Sequence, residues 1–265
     1  MTIVNLQERA VIRKDFHEVW DLKMARDTLL IVPLLLVIVL PVAFVAALIN
    51  IPQSQFNGAD QMMKMLPLEA KGLNFRQASL YVMTNFLFPL LFLMIPLMVS
   101  SVSAASSFVG EKERGTLETL LLTPMSLRQI FKAKVLGCIL LSAIVTFSSF
   151  VMFAIVISVG DIFLKMPLFF NWKWFVLVLF LAPSITVFGV VFMVLVSSKS
   201  KSYIESIQTS GYIILPLVLL FVGEIAGLFT LNVVSLLIIS TVMILLDAII
   251  WNMTARSFQT EKLLQ

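Results

Sequence analysis

"LLIVPLLLVIVLPVAFVAALI", residues 29 to 49, contains no charged side chain. A bilayer's hydrocarbon core is roughly 30 Å thick, and a helix rising about 1.5 Å per residue crosses it in about 20 residues. The run therefore has span length. Five more uncharged or nearly uncharged runs follow: Leu80 to Phe108, Val135 to Val159, Trp174 to Val196, Tyr212 to Leu228 and Leu231 to Ile250. The chain of 265 residues is 60% hydrophobic and only 13% charged, with a mean hydropathy of +1.02, which excludes a soluble domain. The expected fold is an all-α membrane protein with six transmembrane helices.

Upstream of the first run, Glu8, Arg9, Arg13, Lys14, Asp15 and Glu18 precede any apolar stretch, so this is not a cleavable signal. Residues 5 to 25 read as an amphipathic helix, with Ile12, Phe16, Val19 and Trp20 on one side, lying along the inner interface. His17, the only histidine, reads as solvated there. With the N-terminus inside, fourteen Lys and Arg lie on the inner side: Arg9, Arg13, Lys14, Lys23, Arg26, Lys112, Arg114, Arg128, Lys132, Lys134, Lys199, Lys201, Arg256 and Lys262. Lys64, Lys71, Arg76, Lys165 and Lys173 lie outside. The excess predicts cytoplasmic termini. The net charge of +4 is spread along membrane edges and gives no ground for a nucleic-acid partner.

Downstream, the outer loop of about residues 50 to 78 is too short for a domain, with a short helix expected near Met62. Trp172 and Trp174 suit an outer membrane interface. Ser100, Ser101, Ser103, Ala104, Ala105, Ser106 and Ser107 make a small-residue surface on which helices can approach closely. The fifth run, through Pro216 to "GEIAG" at 223 to 227, predicts a tight hairpin or a partly re-entrant segment between the last two spans.

Chemistry-bearing residues are few. Glu224 and Asp247 are the carboxylates within spans; Glu224 is a candidate pathway or gate residue. One cysteine, Cys138, and one histidine cannot close a tetrahedral metal site, and no nucleophile has a matching base, so neither metal nor catalytic residues are assigned. Gly110 to Thr116 imitates a phosphate loop but lacks the Lys after the last Gly.

"GEKERGTLETLLLTP", residues 110 to 124, concentrates charge between the second and third spans. Leu117, Leu120 and Leu121 fall on one helical face, Pro124 stops the helix, and Ser126 with Gln129 forms a capping box for the next. The prediction is helix, break and helix at the membrane surface.

Residues 110 to 136, "GEKERGTLETLLLTPMSLRQIFKAKVL", resemble the characteristic cytoplasmic segment of ABC-2 type transporter permeases: a charged run, Gly-Thr-Leu-Glu, leucines, Thr-Pro, Ser126 and a later basic residue, Lys134. "KDFHEVWDLKMARDTLLIVPLLL", 14 to 36, is similar to the start of that family's chains, with an Arg26-Asp27 pair before the first span. The resemblance implies a membrane subunit of an ATP-binding cassette exporter in a prokaryotic cell membrane. It would have no nucleotide site or cofactor of its own, with ATP and Mg on separate ATPase subunits, and would pair with a second copy or a related permease. The family's coupling helix corresponds to about 111 to 122, which puts ATPase coupling on Glu111, Glu113, Arg114, Gly115, Thr116, Leu117, Glu118, Leu121 and Pro124. Its connecting helix corresponds to about Leu6 to Met24, with Phe16, Trp20, Arg26 and Asp27. Residues 1–28, 29–252 and 253–265 then form the N-terminal segment, the transmembrane domain and a cytoplasmic tail. The apolar surfaces near Phe86, Phe92 and Met94 favour a hydrophobic or amphipathic substrate, a peptide, drug or lipid; sodium efflux, or a carrier or scaffold without an ATPase, are the alternatives.

Overall fold

The computed structural model describes residues 6–50, 72–116, 125–166, 171–197, 200, 202–226 and 230–257. Seven helices carry them: α1 (Leu6–Asp21), α2 (Lys23–Asn50), α3 (Phe75–Glu113), α4 (Leu127–Leu164), α5 (Trp172–Ser197), α6 (Tyr203–Glu224) and α7 (Val233–Ser257). The last six correspond to the six expected spans, the fifth ending at Glu224 and the sixth starting at Val233, and are long and apolar enough to cross a membrane. No strand occurs among the described residues.

The helices outrun their apolar cores because polar caps extend them into the interfaces. The Asn74 N–H donates to Gln77 Oε1 (3.0 Å) to start α3, and Ser126 and Gln129 form the expected reciprocal box that starts α4. α6 begins at Tyr203, nine residues before the expected Tyr212, because Ser202 accepts from Glu205 N–H (3.2 Å) and opens a polar first turn. It passes through a 3-10 turn at Gly211–Ile214, just before Pro216, and has span length; residues 227–229, where a re-entrant turn would fall, lie outside the described residues, as does the helix expected near Met62.

Three spans contain a widened π-turn: Leu35–Val39, Met83–Leu87 and Leu177–Leu181. Each ends two residues before a proline, Pro41, Pro89 or Pro183, and each is centred on the carbonyl four residues before that proline. A proline has no N–H for that carbonyl and its ring presses on it, and the wider turn swings the carbonyl aside. A fourth π-turn, Ala105–Gly110, has no proline and leads into the charged end of α3.

α3 and α5 form the centre of the bundle, each more than half buried over its apolar window. Their contact uses the small-residue surface as expected: a Cβ on Gly189 would stand 2.0 Å from Ser100 Oγ, so only glycine permits this approach. α6 and α7 leave most of their apolar side chains outward.

Candidate functional site

The charged end of α3 meets α1 and α4. α1 lays Val11, Asp15 and Val19 inward, and Ile12 packs over Gly137 of α4. Phe16 packs against the core from a half-buried position, and Trp20 is half-buried. Between the three helices lies Lys134, buried to 1% exposure. Its Nζ donates to the Ser107 carbonyl (2.9 Å) and to Ser107 Oγ (3.2 Å), and lies 3.4 Å from Asp15 Oδ1. It also stands 2.8 Å from Glu111 Oε2, an ion-pair contact off the hydrogen-bonding line. Ser107 Oγ donates to Asp15 Oδ2 (2.7 Å), and Lys14 Nζ donates to Glu111 Oε1 (2.6 Å). Arg114 folds back onto Glu18, crossing close to Gly110, where a Cβ would stand 3.1 Å from the guanidinium.

Three cations, Lys14, Lys134 and Arg114, thus answer three carboxylates, Asp15, Glu18 and Glu111. The carboxylate oxygens approach within 4.8 Å of one another, an oxygen-only set of the kind hard cations accept. Each is already held by an ammonium or guanidinium, so the arrangement is an ion-paired clasp. Burial pushes the Asp15 carboxyl above its ordinary range; Lys134 and the Ser107 hydroxyl oppose that shift, and the Glu111 charge adds to it.

This geometry changes the role expected of Glu111. A carboxylate with no exposed surface, held by Lys14 and Lys134, is turned into the protein and presents no charge to a partner. The charged run is also the last turn of α3 rather than the start of a separate helix. Gly115, at φ +65°, ends it in a left-handed conformation, and Thr116 Oγ1 reaches back to the Glu111 carbonyl (3.4 Å). Leu117, Glu118, Leu121 and Pro124 lie outside the described residues. Glu113 turns away from the clasp and accepts from the Tyr203 N–H (2.9 Å) at the start of α6. Arg26 and Asp27 pair with each other at 3.4 Å.

At the far end of α3 the π-turn and Pro89 leave the Thr84 and Asn85 carbonyls without their usual helical partners, since Phe88 N–H bonds to Met83 and Pro89 has no N–H. α5 satisfies both. Trp174 Nε1 donates to the Thr84 carbonyl (3.1 Å), and Lys173 Nζ to the Asn85 carbonyl. Trp174 is therefore fully buried among Phe92, Phe150 and Phe153, and the interfacial position expected for it belongs to Trp172 alone, 74% exposed. The candidate pathway residues are also committed to structure. Phe92 is core, Met94 packs partly buried against it, and Phe86 lies under the Lys173 ammonium at 5.1 Å. Glu224 is buried and its Oε1 accepts from Leu231 N–H (3.3 Å), joining α6 to the start of α7.

A cavity of about 210 Å3 opens instead between α2, α3 and α6, lined by Met24, Leu97, Met98, Tyr203, Ile207 and Ile214 among others.

The chain matches the family model described as ABC-2 family transporter protein over residues 9–256. It belongs to the ABC-2 transporter family. No curated protein and no solved structure shows significant similarity to the chain. As an ABC-2 permease it is a multi-pass membrane protein, and its charged clasp was out of reach of sequence reasoning. Asp15 and Lys134 are 119 residues apart, Lys14 and Glu111 97. One signal was available: Lys134 follows seven residues of a helix whose next turns are uncharged, a depth at which a cation requires partners.

Proposed function

We propose that this permease is the membrane subunit of an ATP-binding cassette exporter and that its clasped end faces the cytoplasm, where a separate ATPase docks on the segment that follows Gly115. The excess of Lys and Arg at that end supports the orientation. The observation that carries the coupling is the convergence on one turn of α3: Glu111 holds α1 and α4, Arg114 holds α1, and Glu113 holds α6. Force applied to this turn reaches three other helices through bonded contacts, so ATP binding and hydrolysis on the partner shift the population of bundle arrangements. Docking falls to the segment after Gly115, where Glu118 supplies charge and Leu117 and Leu121 an apolar face.

The substrate is a hydrophobic or amphipathic compound, moved outward. The apolar cavity between α2, α3 and α6 supports that class, and at about 210 Å3 it holds a chain or ring rather than a whole drug-sized molecule, whose pockets run about 300–1,000 Å3. Co-expression with an ATP-binding cassette ATPase subunit tests the docking surface. Glu118→Lys is expected to abolish co-purification and ATP-dependent transport while the permease still reaches the membrane. Unchanged co-purification and transport in Glu118→Lys would remove the docking assignment.

A further inference from the structure

Glu111 and Glu113 stand two residues apart on one helical turn, about 200° around the axis at 3.6 residues per turn. Their carboxylates therefore leave α3 on opposite sides. Glu111 goes to the clasp with α1 and α4, whereas Glu113 goes to the junction between α5 and α6. There its Oε2 accepts from Tyr203 N–H (2.9 Å), while Lys112 Nζ next to it reaches the Ser200 carbonyl at 3.5 Å. The first turn of a helix leaves N–H groups without partners and favours negative charge. Ser202, within the chain, answers the one on Glu205; Glu113 answers the one on Tyr203 from a different helix.

The consequence lies one turn further on. Tyr203, Ile207 and Gly211 of the same helix form the α6 wall of the cavity, and Leu97 and Ser101 of α3 form the opposite one. Between Gly211 and Ile214 the helix tightens to a 3-10 turn ahead of Pro216, a break at which the first part of α6 can move without the rest. A cap supplied by α3 thus holds the movable part of the helix that walls the cavity.

We infer that Glu113 is a positioning residue that passes movement of the α3 turn to the first part of α6, and so to the cavity wall, a role separate from ATPase docking. The inference rests on the coupling reading above. It predicts two routes out of the α3 turn, one through Glu111 to α1 and α4 and one through Glu113 to α6, that can be cut independently.

The test uses the full permease reconstituted in lipid with its ATPase, in a Cys138→Ala background, with a nitroxide label introduced by cysteine at Ile204 on α6 or at Ile144 on α4, both outward-facing. With Glu113 intact, trapping the complex with ATP and vanadate is expected to change the spectra of both labels. Glu113→Ala is expected to retain the ATPase and the Ile144 response and to lose the Ile204 response. Glu113→Gln, whose amide oxygen still accepts from Tyr203, is expected to retain most of it. Where Glu113→Ala does not accumulate, Lys112→Met cuts the neighbouring contact and is expected to weaken the Ile204 response alone. An undiminished Ile204 response in Glu113→Ala, or in Lys112→Met where that variant stands in for it, overturns the inference, as does loss of ATPase binding in both Glu113 variants, which would return Glu113 to docking. No response at either label with Glu113 intact would instead overturn the coupling reading itself.

Discussion

Both ends of α3 receive a buried lysine from a neighbouring helix, yet the two lysines do different work. Lys134, from α4, meets two carboxylates and a serine, so charge answers charge. Lys173, from α5, meets a backbone carbonyl that Pro89 left without a donor, above the face of Phe86. The first contact is an ion pair between side chains from three helices and can be rearranged by moving any of them. The second repairs the backbone of a helix and, with the Trp174 indole beside it, binds α3 to α5 as one body. The lesson is that α3 is held through its backbone by α5 at its far end and through side-chain charge by α1 and α4 at its charged end.

Breaking the charged end has the largest expected effect. Lys134→Met leaves Asp15 and Glu111 buried without their shared cation; loss of one partner of a buried pair costs about 3–5 kcal/mol. Thermal unfolding of the purified permease should show a large fall in Tm, and a Tm unchanged from the parent would show that the clasp is dispensable. At the anchored end, Trp174→Phe keeps the aromatic cluster and removes only the donor to Thr84; an unsatisfied buried acceptor costs about 1–3 kcal/mol, read in the same assay. If its Tm fell further than that of Lys134→Met, the order of the two ends would be reversed.

Gly115→Ala addresses the exit from the charged end. A left-handed residue with a Cβ costs about 1–2 kcal/mol, and nothing lies within 4 Å of the added Cβ, so the cost is conformational rather than steric. Transport should fall more than Tm does, because the segment after Gly115 leaves α3 in a different direction. Equal stability and transport in the parent and variant would count against a fixed exit.

The smallest expected effect is on pH dependence, and Asp15 sets its sign. Its carboxyl is raised above 3.8 in the folded protein, so between that value and the folded one the folded state holds the proton that the unfolded state has lost. Stability from this group therefore falls as pH rises through that window and is fully present below it. Asp15→Asn should flatten this part of the curve of Tm against pH; a curve with the parent's slope would assign the dependence to another group.

The sequence shows the six spans plainly, because the length and apolarity of a run are local properties. Ser126 and Gln129 likewise announced the start of α4 from three residues' separation. The clasp was hidden because Asp15, Ser107, Glu111 and Lys134 lie on three helices, and apart from the depth of Lys134 nothing in their local sequence says which of them meet. Trp174 misled for a related reason: a tryptophan near a span end has the interface as its usual place, and only the Thr84 carbonyl, freed by the π-turn on another helix, draws its indole inward.

What the sequence by itself determined is the class of protein, the number of spans and the place where charge is concentrated between the second and third of them. Hydrophobic length and the 110–136 motif are written in consecutive residues. What only the tertiary structure decided is the direction of each charge: Glu111 inward to Lys14 and Lys134, Glu113 across to α6, Lys173 onto a carbonyl of α3. Those choices depend on which helices lie side by side and on where proline and the π-turns expose backbone, and contacts spanning some 90 to 120 residues leave no local pattern by which to foresee them.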